Sequence, residues 1–238
     1  MDIEAMVFDK DGTLLDFDAF WIEISKRVIN DIKEKLGAEN VPNEKLLSAI
    51  GVNGMEADEN GLLCKGTYEE IGLAFCGVLK EYKIDIDCAE AVRLTEASFV
   101  ENADAGEVKA ACDNIRDVLL RAKDGGRKLL VVTTDNPKIT RKCLCRLGID
   151  DLFDEIYTDD GNFPPKPCPD CIKIFSASYG IPPEKMVMVG DTITDILFAR
   201  AAGMRVIYVG KSESVGEKAD AALSDISHIF EVIGEEKA

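Results

Sequence analysis

Two aspartates one residue apart close an apolar run near the start of the chain, in Met6-Val7-Phe8-Asp9-Lys10-Asp11-Gly12-Thr13. If residues 6–8 form a buried strand, the two-residue side-chain period points Asp9 and Asp11 to the same side of its carboxyl end. Gly12, with no Cβ, lets the backbone turn at once. Paired carboxylates at the mouth of a sheet repel each other and call for a cation or a shared proton. Three further clusters follow later apolar runs. Thr133 and Thr134 come after residues 129–132, Lys166 sits in Pro165-Lys166-Pro167-Cys168-Pro169-Asp170, and Gly190-Asp191-Thr192-Ile193-Thr194-Asp195 comes after residues 186–189.

The elements that must position these groups are legible from periodicity. Phe17, Phe20, Trp21, Ile24, Val28, Ile32 and Leu36 recur at helical spacing, with Lys33 and Lys35 in the last turn and Gly37 closing it. Helices are also expected at 43–50, 68–82 and 87–101; Thr67 and Glu70 offer a capping box for the second of these. Residues 51–66 read as a glycine-bearing loop, and no strand is expected from 17 to 104. Beyond that point helices (106–123, 137–147, 169–179, 192–202) alternate with short apolar strands (128–133, 155–158, 186–189, 205–209), which implies a parallel sheet wrapped by helices. The first strand belongs to the same sheet, so the helical block is an insertion after it. The expected fold is α/β, a Rossmann-like parallel-sheet core (1–16 and 105–238) with an inserted all-helical cap (17–104). In an open parallel sheet ligands gather outside the carboxyl ends of the strands, where all four clusters lie.

Composition narrows the chemistry. With 238 residues and 46% hydrophobic side chains the chain can bury a full core. A formal charge of -17 argues against nucleic acid or an anionic membrane as partner, and an anionic substrate would need a local cation. No apolar run reaches membrane-spanning length and the first residues are acidic, so the expected location is cytoplasmic. The eight cysteines are scattered and are expected to be buried thiols, Cys168 and Cys171 included. His228 is the only histidine, which speaks against Ser-His-Asp, Cys-His and multi-histidine zinc machinery.

The motifs Asp9-Lys10-Asp11-Gly12-Thr13, Thr133, Lys166 and Gly190-Asp191-Thr192-Ile193-Thr194-Asp195, in this order, resemble those of the haloacid dehalogenase superfamily. The helical insertion resembles the cap of the branch that includes phosphoglycolate phosphatase and β-phosphoglucomutase. The resemblance implies a Mg²⁺-dependent phosphomonoester hydrolase acting on a small phosphorylated metabolite, as a monomer or homodimer. A phosphomutase on the same apparatus is the alternative; a non-catalytic module with the same fold is less compatible with the intact clusters.

Under this resemblance Asp9 is the nucleophile, since a carboxylate is ionised at neutral pH without a helping base. Asp11 protonates the leaving oxygen and later takes a proton from water, and neighbouring carboxylates are expected to favour its protonated form. Mg²⁺ takes hard oxygen ligands, implied here as Asp9, Asp191 and the backbone carbonyl of Asp11. Lys166 neutralises charge. Gly12, Thr13, Thr133 and Thr134 bind phosphate through hydroxyl or backbone N–H groups. Asp195 is expected at the metal through water or a second layer of contacts. Lys10 departs from the apolar residue common at its position; strand alternation turns it from Asp9, so little catalytic effect is expected. Substrate choice is expected to lie in the cap, with 51–66 as the specificity loop and Lys65 a candidate anion contact.

Overall fold

A computed structural model of the chain describes residues 2–58, 60–103 and 105–234. It divides into two compact units, one of Met1–Asp16 and Val108–Ala238, the other of Phe17–Glu107. Strand β1 (Ala5–Phe8) opens the first unit. The second unit follows with α1 (Phe17–Leu36), α2 (Asn43–Ala49), β2 (Val52–Asn53), β3 (Glu56–Ala57), α3 (Leu62–Lys65), α4 (Tyr68–Glu81) and α5 (Cys88–Asn102). The first unit then resumes with α6 (Ile115–Asp124), β4 (Lys128–Val132), α7 (Pro137–Leu147), β5 (Glu155–Tyr157), α8 (Asp170–Tyr179), β6 (Met186–Gly190), α9 (Ile193–Ala202), β7 (Arg205–Val209), α10 (Glu213–Gly216), β8 (Ala221–Leu223) and α11 (Ile229–Ile233).

The six strands of the first unit form one sheet in the order β5-β4-β1-β6-β7-β8, every pair parallel. β1 lies between β4 and β6, with Phe8 in register with Val131 on one side and Val189 on the other. Both faces of the sheet are covered, so β1 is apolar at every position. Met6 and Phe8 pack with Leu119, Leu144 and Val187 on one face. Ala5 and Val7 pack with Phe175, Phe198 and Met188 on the other. The register brings the ends of β1, β4 and β6, and the residues that follow them, to one rim.

Helix ends follow local chemistry. Thr67 and Glu70 form the expected capping box on α4, Asn136 caps α7 ahead of Pro137, and Gly148 closes α7 in the left-handed conformation. Three expectations change. The second unit is not purely helical: β2 and β3 form a short antiparallel hairpin around Gly54, whose φ of 67° suits a tight turn. Two-residue strands leave no period for sequence reading to detect. The helix expected at 106–123 begins only at Ile115, because the residues before it return alongside the β1 loop. Asp16 accepts an ion pair from Lys109 at 2.9 Å, Ala111 N–H donates to Leu14 O, and Leu15 bridges Ala110. Finally, Cys76 and Cys88 form a disulfide and are not free thiols. The turn between α4 and α5 brings their Cα atoms to 5.4 Å, within bridging distance. Cys168 and Cys171 are free, and burial pushes the Cys171 thiol up to about 11, which suits a packed thiol.

Candidate active site

Asp9 is the first residue past β1, and its N–H donates to Val189 O at 2.9 Å, so its backbone is fixed against β6. Its carboxylate is nearly buried and receives Lys166 Nζ at Oδ1, 2.5 Å away. Lys166 reaches in from the loop before α8, its side chain 4% exposed, and also donates to Asp195 Oδ1 at 2.6 Å. Residues 9, 166 and 195 thus form one ion chain. Burial opposes the charge on Lys166, but Asp195 and Asp9 outweigh it and hold the ammonium above the ordinary lysine range.

Asp195 is fully buried at the first turn of α9, and neither of its oxygens is idle. Oδ1 takes Lys166; Oδ2 accepts Thr192 N–H at 3.0 Å and the Thr192 hydroxyl at 2.7 Å, completing a capping box. Gly190 makes room, since a Cβ there would lie 2.4 Å from Asp195 Cγ. Its position in this structure is that of the residue that aims Lys166 at Asp9.

Asp191 follows β6 directly, and the Thr13 hydroxyl donates to its Oδ1 at 3.4 Å. Oxygens of Asp9, Asp191 and Asp195 lie within 4.8 Å of one another. Burial raises the Asp9 pKa to about 7 against the pull of Lys166. Burial, then the charges of Asp9 and Asp195, push Asp191 well above the usual carboxylate range. With all three carboxylates ionised against one ammonium, two negative charges would be left over, which is what a divalent cation would neutralise. The donor set, hard oxygens only, also fits such an ion. Asp9 and Asp191 are the residues able to hold it, because the oxygens of Asp195 are already engaged.

The phosphate-binding expectations divide. Gly12, expected to bind phosphate, donates its N–H to Leu15 O at 2.8 Å inside the turn. Its contribution is steric: at φ 82°, a Cβ would come within 2.1 Å of Asp191 Oδ2. Thr13 and Thr133 are both buried, and the Thr133 oxygen accepts Asp135 N–H at 3.2 Å. Thr134 is exposed on the same loop. In the second unit, Lys65 Nζ donates to Asn60 Oδ1 at 2.6 Å.

Lys10 and Asp135 were not anticipated as a pair. Alternation does place Lys10 opposite Asp9, but β1 ends at Phe8 and the chain turns, with Leu14 and Leu15 N–H both donating to Lys10 O at 2.9 Å. The fully buried ammonium meets Asp11 Oδ1 at 2.9 Å and Asp135 Oδ2 at 2.9 Å. Asp9 and Asp11 are therefore held by different lysines, and Lys10 is not remote from the acidic pair. Burial disfavours its charge, yet Asp11 and Asp135 raise its pKa above the ordinary value. The signal available in the sequence was the rarity of a lysine two residues beyond a buried strand.

A parallel sheet covered on both faces, with an acidic cluster and a lysine outside the ends of its central strands, defines an α/β protein with a strand-end site whose carboxylates could hold a cation. The chain belongs to the haloacid dehalogenase-like hydrolase family, whose profile matches residues 6–209, and it is an enzyme of that family. Among its relatives is a phosphoglycolate phosphatase of Psychrobacter arcticus, 28% identical over 217 residues, covering 91% of this chain and 87% of that protein. A predicted phosphoglycolate phosphatase from Haemophilus somnus has the same fold at TM-score 0.70, with 20% identity and 98% and 99% of the two chains covered. CbbY from Rhodobacter sphaeroides, solved in complex with phosphate, superposes at TM-score 0.59 with 26% identity over 95% and 96% of the chains. Among the described residues, no helix is long and apolar enough to cross a membrane.

Proposed function

We propose that this hydrolase is a Mg²⁺-dependent phosphomonoesterase that works through an aspartyl-phosphate on Asp9 and acts on a small phosphorylated metabolite of the phosphoglycolate type. The observation that carries the reading is the convergence of Asp9, Lys166 and Asp191 from three separate segments onto one rim. The names of the relatives support the class of substrate, and the phosphate held by CbbY supports a phosphoryl group as what such a site receives.

A divalent cation on Asp9, Asp191 and the backbone carbonyl of Asp11 would supply charge neutralisation to the phosphoryl group. Everything else falls to side chains of the chain. Asp9 attacks phosphorus in line; the new bond from its carboxylate oxygen forms as the bond to the leaving oxygen breaks. The Asp11 carboxyl gives its proton to that oxygen, and the alcohol departs neutral. Water then attacks the phosphorus, the Asp9–phosphorus bond breaks, the water proton returns to Asp11, and inorganic phosphate leaves. Lys166, fixed by Asp195, holds Asp9 in place and offsets the charge that gathers on the phosphoryl oxygens. Thr133 donates its hydroxyl proton to one of those oxygens, with the N–H groups of Thr13 and Thr134 beside it. The residues 17–104 unit is assigned to substrate selection.

The test is trapping. Rapid acid quenching during turnover of phosphoglycolate with Mg²⁺ should yield a peptide carrying one phosphoryl group on Asp9, and Asp9→Asn should abolish both the adduct and phosphate release. Hydrolysis by Asp9→Asn at the parent rate rules the covalent route out. Release of free phosphate, as against an isomerised sugar phosphate, separates this reading from a phosphomutase.

A further inference from the structure

One buried cation takes no part in the reaction described above. The Lys10 side chain has no exposed surface, and its ammonium lies 2.9 Å from an oxygen of each of two carboxylates on different loops, Asp11 after β1 and Asp135 after β4. The contact with Asp11 is a hydrogen bond. That with Asp135 Oδ2, a buried oxygen, is an ion pair of the same length. Asp135 in turn donates its N–H to the hydroxyl of Thr133. A lysine buried this deeply is tolerated only where its geometry and partners compensate the loss of water. A leucine or methionine would fill the same space without that cost. The charge therefore has a use beyond packing.

We propose that Lys10 is a positioning residue that holds the Asp11 carboxyl in the orientation needed to protonate the leaving oxygen, and ties it through Asp135 to the loop that carries Thr133. The inference rests on the phosphomonoesterase reading. Lys10 touches neither substrate nor the transferred proton. By engaging Asp11 Oδ1 at 2.9 Å, it restricts rotation of the carboxyl. Asp11 stands immediately before a glycine with φ 82°, in the turn that follows β1. Lys10 anchors the side chain directly. Coupling to Asp135 makes the acid and the phosphate-binding hydroxyl move as one unit, so that the proton donor and the phosphoryl group stay in register.

The consequence is specific to one half-reaction. Proton donation matters for a basic leaving group and hardly at all for 4-nitrophenolate, which departs as an anion. The value of kcat/KM covers only the steps up to departure of the leaving group. The experiment measures kcat/KM with Mg²⁺ for 4-nitrophenyl phosphate, phenyl phosphate and an alkyl phosphate, for the parent protein, Asp11→Asn, Lys10→Met and Asp135→Asn. Lys10→Met is expected to lose roughly 10- to 100-fold on the alkyl ester and under about threefold on the nitrophenyl ester. Its dependence on leaving-group basicity should thus approach that of Asp11→Asn. An equal fall on all three esters, or no change, overturns the proposal while leaving the function intact. If Asp11→Asn itself shows no steeper dependence than the parent protein, the acid role of Asp11 fails instead, and the phosphomonoesterase mechanism with it. Should Lys10→Met lack a cooperative melt, Asp135→Asn, close in shape to the parent side chain, carries the same comparison with the same two outcomes.

Discussion

Adding a single methyl group at Gly12 should strike the cation site harder than the fold. In Gly12→Ala the new Cβ would lie 2.1 Å from Asp191 Oδ2 and 2.5 Å from its Cγ, at a φ of 82°. The left-handed backbone alone costs an alanine roughly 1–2 kcal/mol. Relieving the clash requires the carboxylate to retreat by about 1 Å, at a further 1–3 kcal/mol of overpacking. A ligand displaced by that distance leaves the coordination shell of a small octahedral ion, so Mg²⁺ affinity should fall by at least about 10-fold. Gly126→Ala is the control: its φ is 78°, but nothing lies within 4 Å of the new Cβ. Both variants should melt lower, by about 2–4 °C for each kcal/mol in a chain of this length. Only Gly12→Ala should lose the stabilisation that Mg²⁺ confers in a titration followed by melting temperature. If the two variants lose equal stability and bind Mg²⁺ like the parent protein, the close approach of Gly12 to Asp191 is not what shapes the site.

The remaining predictions concern charge and covalent bonds. In the metal-free protein the Asp9 pKa is about 7, against 3.8 for an ordinary aspartate, and Asp191 is raised as well. The folded state therefore holds protons that the unfolded chain has released, and its stability should fall as pH rises from about 4 to 7. Mg²⁺ should accordingly raise the melting temperature more at pH 7.5 than at pH 5; an equal effect at both would contradict the cluster as the binding site. Lys166→Met leaves Asp9 and Asp195 buried without their shared cation. It should cost about 3–5 kcal/mol in the metal-free protein and lower kcat by about 10²- to 10³-fold. Turnover within tenfold of the parent would remove Lys166 from the mechanism. Cys76→Ser, or reduction, opens a bridge that spans 12 residues and should cost about 3 kcal/mol, seen as a lower melting temperature under reductant. An identical melt with and without reductant would mean that the bridge does not form.

Local pattern alone carried much of this protein. The four apolar runs expected at 5–8, 128–133, 186–189 and 205–209 are strands of one sheet to within a residue, and β1 is apolar throughout because both faces of its sheet are covered. The capping box expected at Thr67 and the glycine closing α7 are equally local, as is the box at Thr192 that the sequence reading missed. Each answers to residues three or four positions away, so it is written within a few positions of sequence. Partner choice is not local. That Lys166 would meet Asp9, 157 residues distant, depends on β1 lying beside β6 and on Asp195 being held at the start of α9. Strand alternation predicts faces only while a strand lasts, and β1 stops one residue short of the acidic pair. Past that point the turn, not the period, aimed Asp11 at Lys10 and used the Gly12 N–H on Leu15. Sequence therefore supplied candidates at the strand ends, Asp9, Asp11, Lys166 and Asp191 among them, but not Asp135 or its pairing with Lys10. Tertiary packing alone decided which carboxylate each lysine serves, because burial compels every charge to find a partner and only the folded chain offers one within reach.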